Sequence, residues 1–513
     1  MILDRGELAL LDVREELTFS ESHLLFARSV PLSRLELRMP LLVPRHATRI
    51  VLCDDNDGLA ERAASVLRQY GYTDVSILDG GIAAWAAAGF ELFSGVHVPS
   101  KAFGEFVEHE GHTPGIDAHE LDSLIRSGTD LVVLDSRPFD EFHRMSIPTG
   151  VNVPGAELVL RIHDIAPSPE TVVVVNCAGR TRSIIGAQSL IDAGVPNKVM
   201  ALRNGTMGWN LAGLTCDSGK QERVPAVTDS GVAWAKEAAG RLARRLGIAR
   251  IDLATLERFR AEATQHSLYL LDVRDPPEYA AGHLPGAISA PGGQLVQATD
   301  IYIGTLNARI VLIDDKEARA LMTASWLAQM GWRDVHVLAA AGSETGRSQA
   351  PVLGGEPKAE HPIGAAELAA ALKAGDLTVI DLSLSRNYLA AHIPGAWFAI
   401  RARLDRALAK LPASGTLVLT SEDGRLAALA EPELQALTKS PVRVLTGGNA
   451  AWRDAGHPLT SADPHMADDA IDAWLKPYER SANVEKAMAE YLSWEVDLLP
   501  RIARDGCTDF RRP

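Results

Sequence analysis

Four cysteines in 513 residues is a sparse allotment, and no two of them stand at a metal-binding spacing. Cys53, Cys177, Cys216 and Cys507 are scattered over the whole chain. That excludes a disulfide framework and a paired-cysteine zinc site, and it is the usage of a reduced, cytosolic protein. Basic charge is short as well. The chain carries 51 Lys and Arg against 66 Asp and Glu, a net charge of −15. The broad basic face needed by a nucleic acid or an anionic membrane is therefore missing. No apolar run reaches the length of a membrane span, and Met1-Ile2-Leu3-Asp4-Arg5-Gly6-Glu7 lacks the apolar core of a secretory signal. A soluble, cytoplasmic protein is expected. What remains is an ordinary globular composition, 46% hydrophobic and 23% charged, in a length that holds three or four domains.

The chain repeats itself four times. Leu10-Leu11-Asp12-Val13-Arg14 recurs as Val133-Leu134-Asp135-Ser136-Arg137 and as Leu270-Leu271-Asp272-Val273-Arg274, and more weakly as Val379-Ile380-Asp381-Leu382-Ser383. A second apolar strand follows each, ending at Asp54, Cys177, Asp314 and Ser421. The first three lie 42 residues after the preceding Asp and the fourth lies 40 after it. A leucine comes 13 residues later in every unit (Leu67, Leu190, Leu327, Leu434). In the first three a glycine comes 17 later (Gly71, Gly194, Gly331), placed to end a helix in the left-handed conformation. Chance composition does not produce such agreement. Each unit closes on another strand, followed by Gly80-Gly81 and Trp85, Asn204-Gly205 and Trp209, or Gly447-Gly448 and Trp452; the third unit degenerates at Ala339-Ala340-Ala341-Gly342. The tryptophans read as helix-to-sheet packing.

Strands alternating with helical segments predict an α/β chain of four tandem domains, each a mainly parallel sheet with helices on both faces. The expected ranges are 1–95, 113–217, 248–350 and 361–462, with a helical extension over 463–513. Helices should precede the first strand in units two to four, at Asp117–Ser127, Asp252–Ala263 and Gly364–Ala374. Unit one has almost none, so its amino-terminal edge reads as incomplete. Between units, Phe93–His112 is poorly periodic, Gly231–Leu246 reads as a helix, and Ala350–His361 reads as a plain linker. Trp474, Leu475, Tyr491, Leu492, Trp494 and Leu498 suggest two helices added to the last domain.

One stretch carries chemistry. Val172-Val173-Val174-Val175 reads as a buried parallel strand, and it runs into Asn176-Cys177-Ala178-Gly179-Arg180-Thr181-Arg182-Ser183. Ile184, Ile185, Ala187, Leu190 and Ile191 then recur at helical spacing, so Ser183 stands near a helix start. Cys177 is thereby presented over a helix N-terminus, where backbone N–H groups and the helix dipole favour an anion. Thiolate is the reactive form of cysteine, and such surroundings favour it.

Taken together these features resemble the rhodanese (sulfurtransferase) family, in four copies over nearly the whole chain. The residues that carry the resemblance are Asp272-Val273-Arg274 with Glu278-Tyr279-Ala280-Ala281-Gly282-His283-Leu284-Pro285-Gly286-Ala287, then Tyr388-Leu389-Ala390-Ala391-His392-Ile393-Pro394-Gly395-Ala396, the Gly-Gly…Trp closures and the loop at Cys177. Unit two departs from the family at Ser146-Ile147-Pro148-Thr149-Gly150, where units three and four have a histidine-proline turn; that turn is expected to be structural. The resemblance also implies a distinction by loop size. Related dual-specificity phosphatases have one residue more, with arginine six places after the cysteine, whereas here the sixth place is Ser183 and Arg182 is the fifth. The tighter loop suits a sulfur atom better than a tetrahedral phosphate.

The resemblance implies a thiosulfate sulfurtransferase that works by double displacement. The Cys177 thiolate takes the outer sulfur of thiosulfate or a related small anionic donor, sulfite leaves, and a thiophilic acceptor (cyanide, a thiol, or a protein sulfur acceptor) removes the sulfur from the Cys177 persulfide. Arg180 and Arg182 are expected to hold the donor, and Ala178, Gly179, Thr181 and Ser183 to complete the substrate loop. No cofactor or metal is called for, and no nucleic-acid or membrane partner. Asp54, Asp314 and Ser421 replace the nucleophile, so units one, three and four are expected to be inactive. Cys53, level with Asn176, reads as structural; Cys216 is a candidate redox partner; Cys507 reads as incidental. Arg14, Arg137 and Arg274 are expected to form ion pairs within their own domains. The alternatives are a non-catalytic sulfur relay or sensor scaffold, and, disfavoured by loop length, a cysteine phosphatase or arsenate reductase.

Overall fold

The computed structural model describes residues 1–346, 349–375, 377–412 and 415–513. Among them four sheets form, and all of the strand pairings within them are parallel. The repeat is visible in the register. Asp12 pairs with Cys53, Asp135 with Asn176, Asp272 with Ile313 and Asp381 with Thr420. Each sheet thus ends its two central strands level, and the residue after the second strand is delivered to the same place four times. Asp12, Asp135 and Asp272 each hold the arginine two residues on, at 2.6 Å, with both partners buried. These are the ion pairs expected at Arg14, Arg137 and Arg274.

Unit one has a four-stranded sheet; the other three carry an additional edge strand ahead of a first helix (Ala118–Arg126, Leu253–Ala261, Ala365–Ala374). Gly71, Gly194 and Gly331 all have positive φ at the helix ends predicted for them. His283 and His392 are buried against Tyr279 and Tyr388, their Nδ1 atoms 3.0 and 2.8 Å from those residues' own carbonyls. The histidine-proline turn is therefore a structural stitch, and Ser146 occupies its place in unit two.

Three expectations are corrected. The stretch expected to be poorly periodic contains a 14-residue helix, Val98–Gly111. It is buried on more than one side, with Lys101 and Glu105 among Val98, Ala102, Phe103 and Val107, so no single apolar stripe marks it in sequence. The extension holds one long helix, Val484–Asp505, together with a 3₁₀ turn at Pro477–Glu479. Nor is that helix an addition to the last domain: it packs on the Val98–Gly111 helix and on Gly205–Leu211 of unit two. The part that does stay with unit four is His465–Met466, which adds a sixth strand to its sheet.

The units pair through shared cores. Units two and three bury one continuous apolar cluster, bridged by the Asp229–Arg245 helix, and units one and four share another. A buried arginine–glutamate pair crosses each seam: Arg319 to Glu157 at 2.7 Å between units three and two, and Arg401 to Glu36 at 2.7 Å between units four and one. Units one and three meet through Arg28 Nε, which donates to the Ile303 carbonyl, and through the Glu7 carboxylate, which accepts from Ser267.

Candidate active site

Val172–Asn176 delivers Cys177 to the carboxyl end of its sheet, and the helix Thr181–Ala193 begins four residues later. The loop between them is anchored from the neighbouring crossover. Thr206 N donates to the Cys177 carbonyl at 2.8 Å and Met207 N to the Ala178 carbonyl at 3.0 Å. This approach requires Gly205, at φ +55°, because a Cβ there would stand 2.2 Å from the Cys177 oxygen. Gly81 and Gly448 meet the Asp54 and Ser421 carbonyls in the same way, at 2.4 and 2.1 Å. The Gly-Gly and Asn-Gly closures therefore hold the loop, a role that their turn-like sequence does not announce.

Cys177 is 2% exposed, and its Sγ lies 3.5 Å from the Ser183 hydroxyl, which itself donates to the Arg180 carbonyl. Among the described residues, the amides of Ala178 through Ser183 donate to no protein acceptor. The equivalent loops show what such amides hold. In unit three the Asp314 carboxylate accepts from the amides two and five residues on, Lys316 N at 3.0 Å and Arg319 N at 2.9 Å. It also accepts from Arg319 Nη2 at 2.8 Å. In unit one the Asp54 carboxylate accepts from Asn56 N at 2.9 Å and from Ala60 N at 3.0 Å. Units one and three thus carry a built-in anion in the cradle. In unit two the same places belong to Gly179 N, Arg182 N and Ser183 N, and Arg182, five places after Cys177, stands where Arg319 stands after Asp314.

The two loop arginines differ. Arg182 is 7% exposed and meets Glu141 at 2.9 and 3.2 Å and Gln294 of unit three at 3.1 Å. Burial works to depress its pKa, but the charges of Glu141 and Cys177 overcome that and hold it above the usual value. Lys476 stands 3.0 Å from Glu141 as well. Arg180 also lines the cavity, but its guanidinium is engaged by Glu105, through two 2.7 Å bonds, and by Glu108 of the Val98–Gly111 helix. Thr181 Oγ1 donates to Glu495 at 3.2 Å. Ala178 and Gly179 line the opening.

Over the loop lies a cavity of about 70 Å³ whose walls come from four parts of the chain. Unit two gives the loop and Met207; the segment between units one and two gives His97 and Lys101; unit three gives Gln297; the extension gives Tyr478, Tyr491 and Glu495. His97 Nδ1 is 2.8 Å from Asp300 of unit three. Sequence reasoning missed all of these roof residues, because no local pattern links positions hundreds of residues apart. Glu141 did leave a signal: it stands six places after Asp135, as Glu278 stands six after Asp272, and Glu278 in turn pairs with Arg319.

The other cysteines lie elsewhere. Cys53 is buried in its strand, and burial pushes its thiol well up. Burial likewise lifts Cys216 and Cys507 to about 11. Cys216 donates to Asn210.

Residues 1–88, 117–212, 254–341 and 364–455 match the rhodanese-like domain, which together is well over half of the chain. Among solved structures, the crystal structure of a thiosulfate sulfurtransferase from Pseudomonas aeruginosa superimposes with a TM-score of 0.96 at 48% identity, covering 99% of this chain and 97% of that one. Two curated relatives match over single-domain stretches. The HTH-type transcriptional regulator Rv0324 of Mycobacterium tuberculosis is 30% identical over 94 residues, and the uncharacterized protein YqhL of Bacillus subtilis is 38% identical over 76. The matches span 18% and 15% of this chain and only 41% and 59% of those relatives.

Proposed function

The chain belongs to the rhodanese-like domain family, and on that premise we propose that it is a sulfurtransferase whose second domain carries sulfur on Cys177. The Cys177 thiolate attacks the outer sulfur of thiosulfate; the sulfur–sulfur bond of the donor breaks, and sulfite leaves with the electron pair. The transferred sulfur is held as a persulfide until a thiophilic acceptor removes it. Arg182 is the counter-charge for the donor and for the departing sulfite. Arg180, tied to Glu105 and Glu108, fixes the loop against the roof, and its contribution to donor binding is indirect.

The observation that carries this reading is the comparison between loops of one chain. Where an aspartate replaces the nucleophile, its carboxylate sits in the amide cradle and, in unit three, on the arginine five places on. The same cradle in unit two, with a thiol at its centre and no carboxylate of its own, suits an anionic sulfur species. Units one and three are then inactive for two reasons, a missing nucleophile and an occupied anion site, and unit four lacks the thiol.

The test is steady-state turnover of thiosulfate with cyanide as acceptor, with phosphate monoesters and arsenate alongside. Sulfur transfer that disappears in Cys177→Ser, with no turnover of the oxyanions, is expected. Phosphatase or arsenate-reductase activity that exceeded sulfur transfer would overturn the assignment, and absence of all three would favour a non-catalytic relay.

A further inference from the structure

The roof over Cys177 contains a carboxylate with one oxygen that the loop does not engage. Glu495, on the long C-terminal helix, is 1% exposed. Its Oε1 accepts from Thr181 Oγ1 at 3.2 Å and from Tyr491 OH at 3.1 Å, and lies 3.5 Å from Lys101 Nζ. Its Oε2 is buried and receives no hydrogen bond from any described residue. A Cβ built on Gly179 would stand 3.1 Å from that oxygen. The unpartnered oxygen therefore lies directly over the sulfur loop, in the wall of the cavity. A buried carboxylate oxygen without a donor is costly unless something completes it.

We propose that Glu495 is the proton acceptor for the second half of the reaction, and that the acceptor it serves is a low-molecular-weight neutral thiol. This rests on the reading of Cys177 as the sulfur carrier. Loading from thiosulfate moves no proton, because thiolate, donor and sulfite are all anions. Unloading onto a thiol does. The S–H proton passes to Glu495 Oε2, the thiol sulfur forms a bond to the outer persulfide sulfur, and the bond to Cys177 Sγ breaks with its electron pair left on Sγ. The products are the acceptor persulfide and a Cys177 thiolate; the proton leaves Glu495 for solvent. Lys101 and Tyr491 position the carboxylate through Oε1, which leaves Oε2 for the incoming S–H. Arg182 and Lys476, in the same cavity lining, balance the anionic charge. The small chamber, closed in by Tyr478 and Tyr491, suits a compact acceptor.

The experiment separates the half-reactions in Glu495→Gln, which keeps an oxygen for Thr181 and Tyr491. Persulfide loading by thiosulfate and its discharge are each timed in single turnovers, with 2-mercaptoethanol and with the more acidic trifluoroethanethiol as acceptors. General-base assistance is typically worth about a hundredfold or more, so the ratio of discharge to loading should fall by at least about tenfold with 2-mercaptoethanol and by much less with the acidic thiol. Equal losses with both thiols, or no fall in the ratio, would overturn the proposal, as would a common loss in both half-reactions. Should the Gln variant not fold, Glu495→Asp, which withdraws the carboxylate from Gly179, is read by the same ratio. A parent protein that acquires no sulfur on Cys177 would instead refute the underlying reading.

Discussion

Arg182 offers the sharpest quantitative test of the anion site. It forms, with Glu141 and Lys476, a cluster of two cations and one anion, so the wall facing Cys177 carries a net charge of about +1. Burial penalises the Glu141 carboxyl, but Arg182 and Lys476 more than offset this and hold it well below the usual carboxylate range. Arg182→Met removes one cation and leaves a net charge of about zero. Loss of a charge-assisted hydrogen bond is worth roughly 1.5–3 kcal/mol, about ten- to a hundredfold in rate. The kcat/KM for thiosulfate should fall by that factor. The charge of the wall has a second consequence. Arg182→Met with Glu141→Gln returns the wall to a net charge of about +1 through Lys476 and should recover part of the loss. The assay is the rate of persulfide formation against thiosulfate concentration, at fixed ionic strength because exposed charges are screened. Donor kinetics unchanged by Arg182→Met, or a double variant worse than the single one, would refute the electrostatic account.

Other consequences are independent of that cluster. In a Cys177→Ser background, Asp54→Cys alone should give little transfer, since Asp55 and Asp57 stay beside the new thiol and Asp55 remains on Arg14 at 2.7 Å; grafting the whole unit-two loop should recover more, and parent-like turnover by the single change would sink the idea. Arg401→Met strands Glu36, which is buried at the seam between units one and four, and should cost about 3–5 kcal/mol in denaturant unfolding; adding Glu36→Gln should return much of it, and an unchanged midpoint in Arg401→Met would contradict the pairing. Burial, with Asp472 nearby, lifts the Glu15 carboxyl to about 7. The folded state then keeps a proton that the unfolded chain releases near about 4.3, so this group lowers stability as pH rises from about 4.3 to 7 and its cost is full above that. Glu15→Gln should therefore gain on the parent between pH 5 and 8, by at most about 3 kcal/mol, and a constant difference across that range would rule out the titration.

The fourfold repeat was legible because spacing survives where identity does not. The offset of 42 residues recurs in units one to three, and the structure shows why: Asp12, Asp135 and Asp272 end level with Cys53, Asn176 and Ile313, and the residue 42 on is the first beyond that level. Cys177 was legible for the same reason, as the residue delivered just past the level strand ends. The helix at Val98–Gly111 was not, because Lys101 and Glu105 are buried by Gln297, Glu495 and Arg180 from three other parts of the chain and break the apolar period. The destination of the C-terminal helix was equally hidden. Its apolar face, with Leu492 and Leu498 buried, declares a partner but not which one. Arg180 was read from charge and position alone, and only the structure reveals the two glutamates that engage it.

The central claim is that Cys177 carries the sulfur, and the mass of the protein after a stoichiometric dose of thiosulfate tests it most directly. The account predicts one added sulfur atom, located on the peptide containing Cys177, released by cyanide and absent from Cys177→Ser. Sulfur on Cys53, Cys216 or Cys507, or an equal gain in Cys177→Ser, would contradict it.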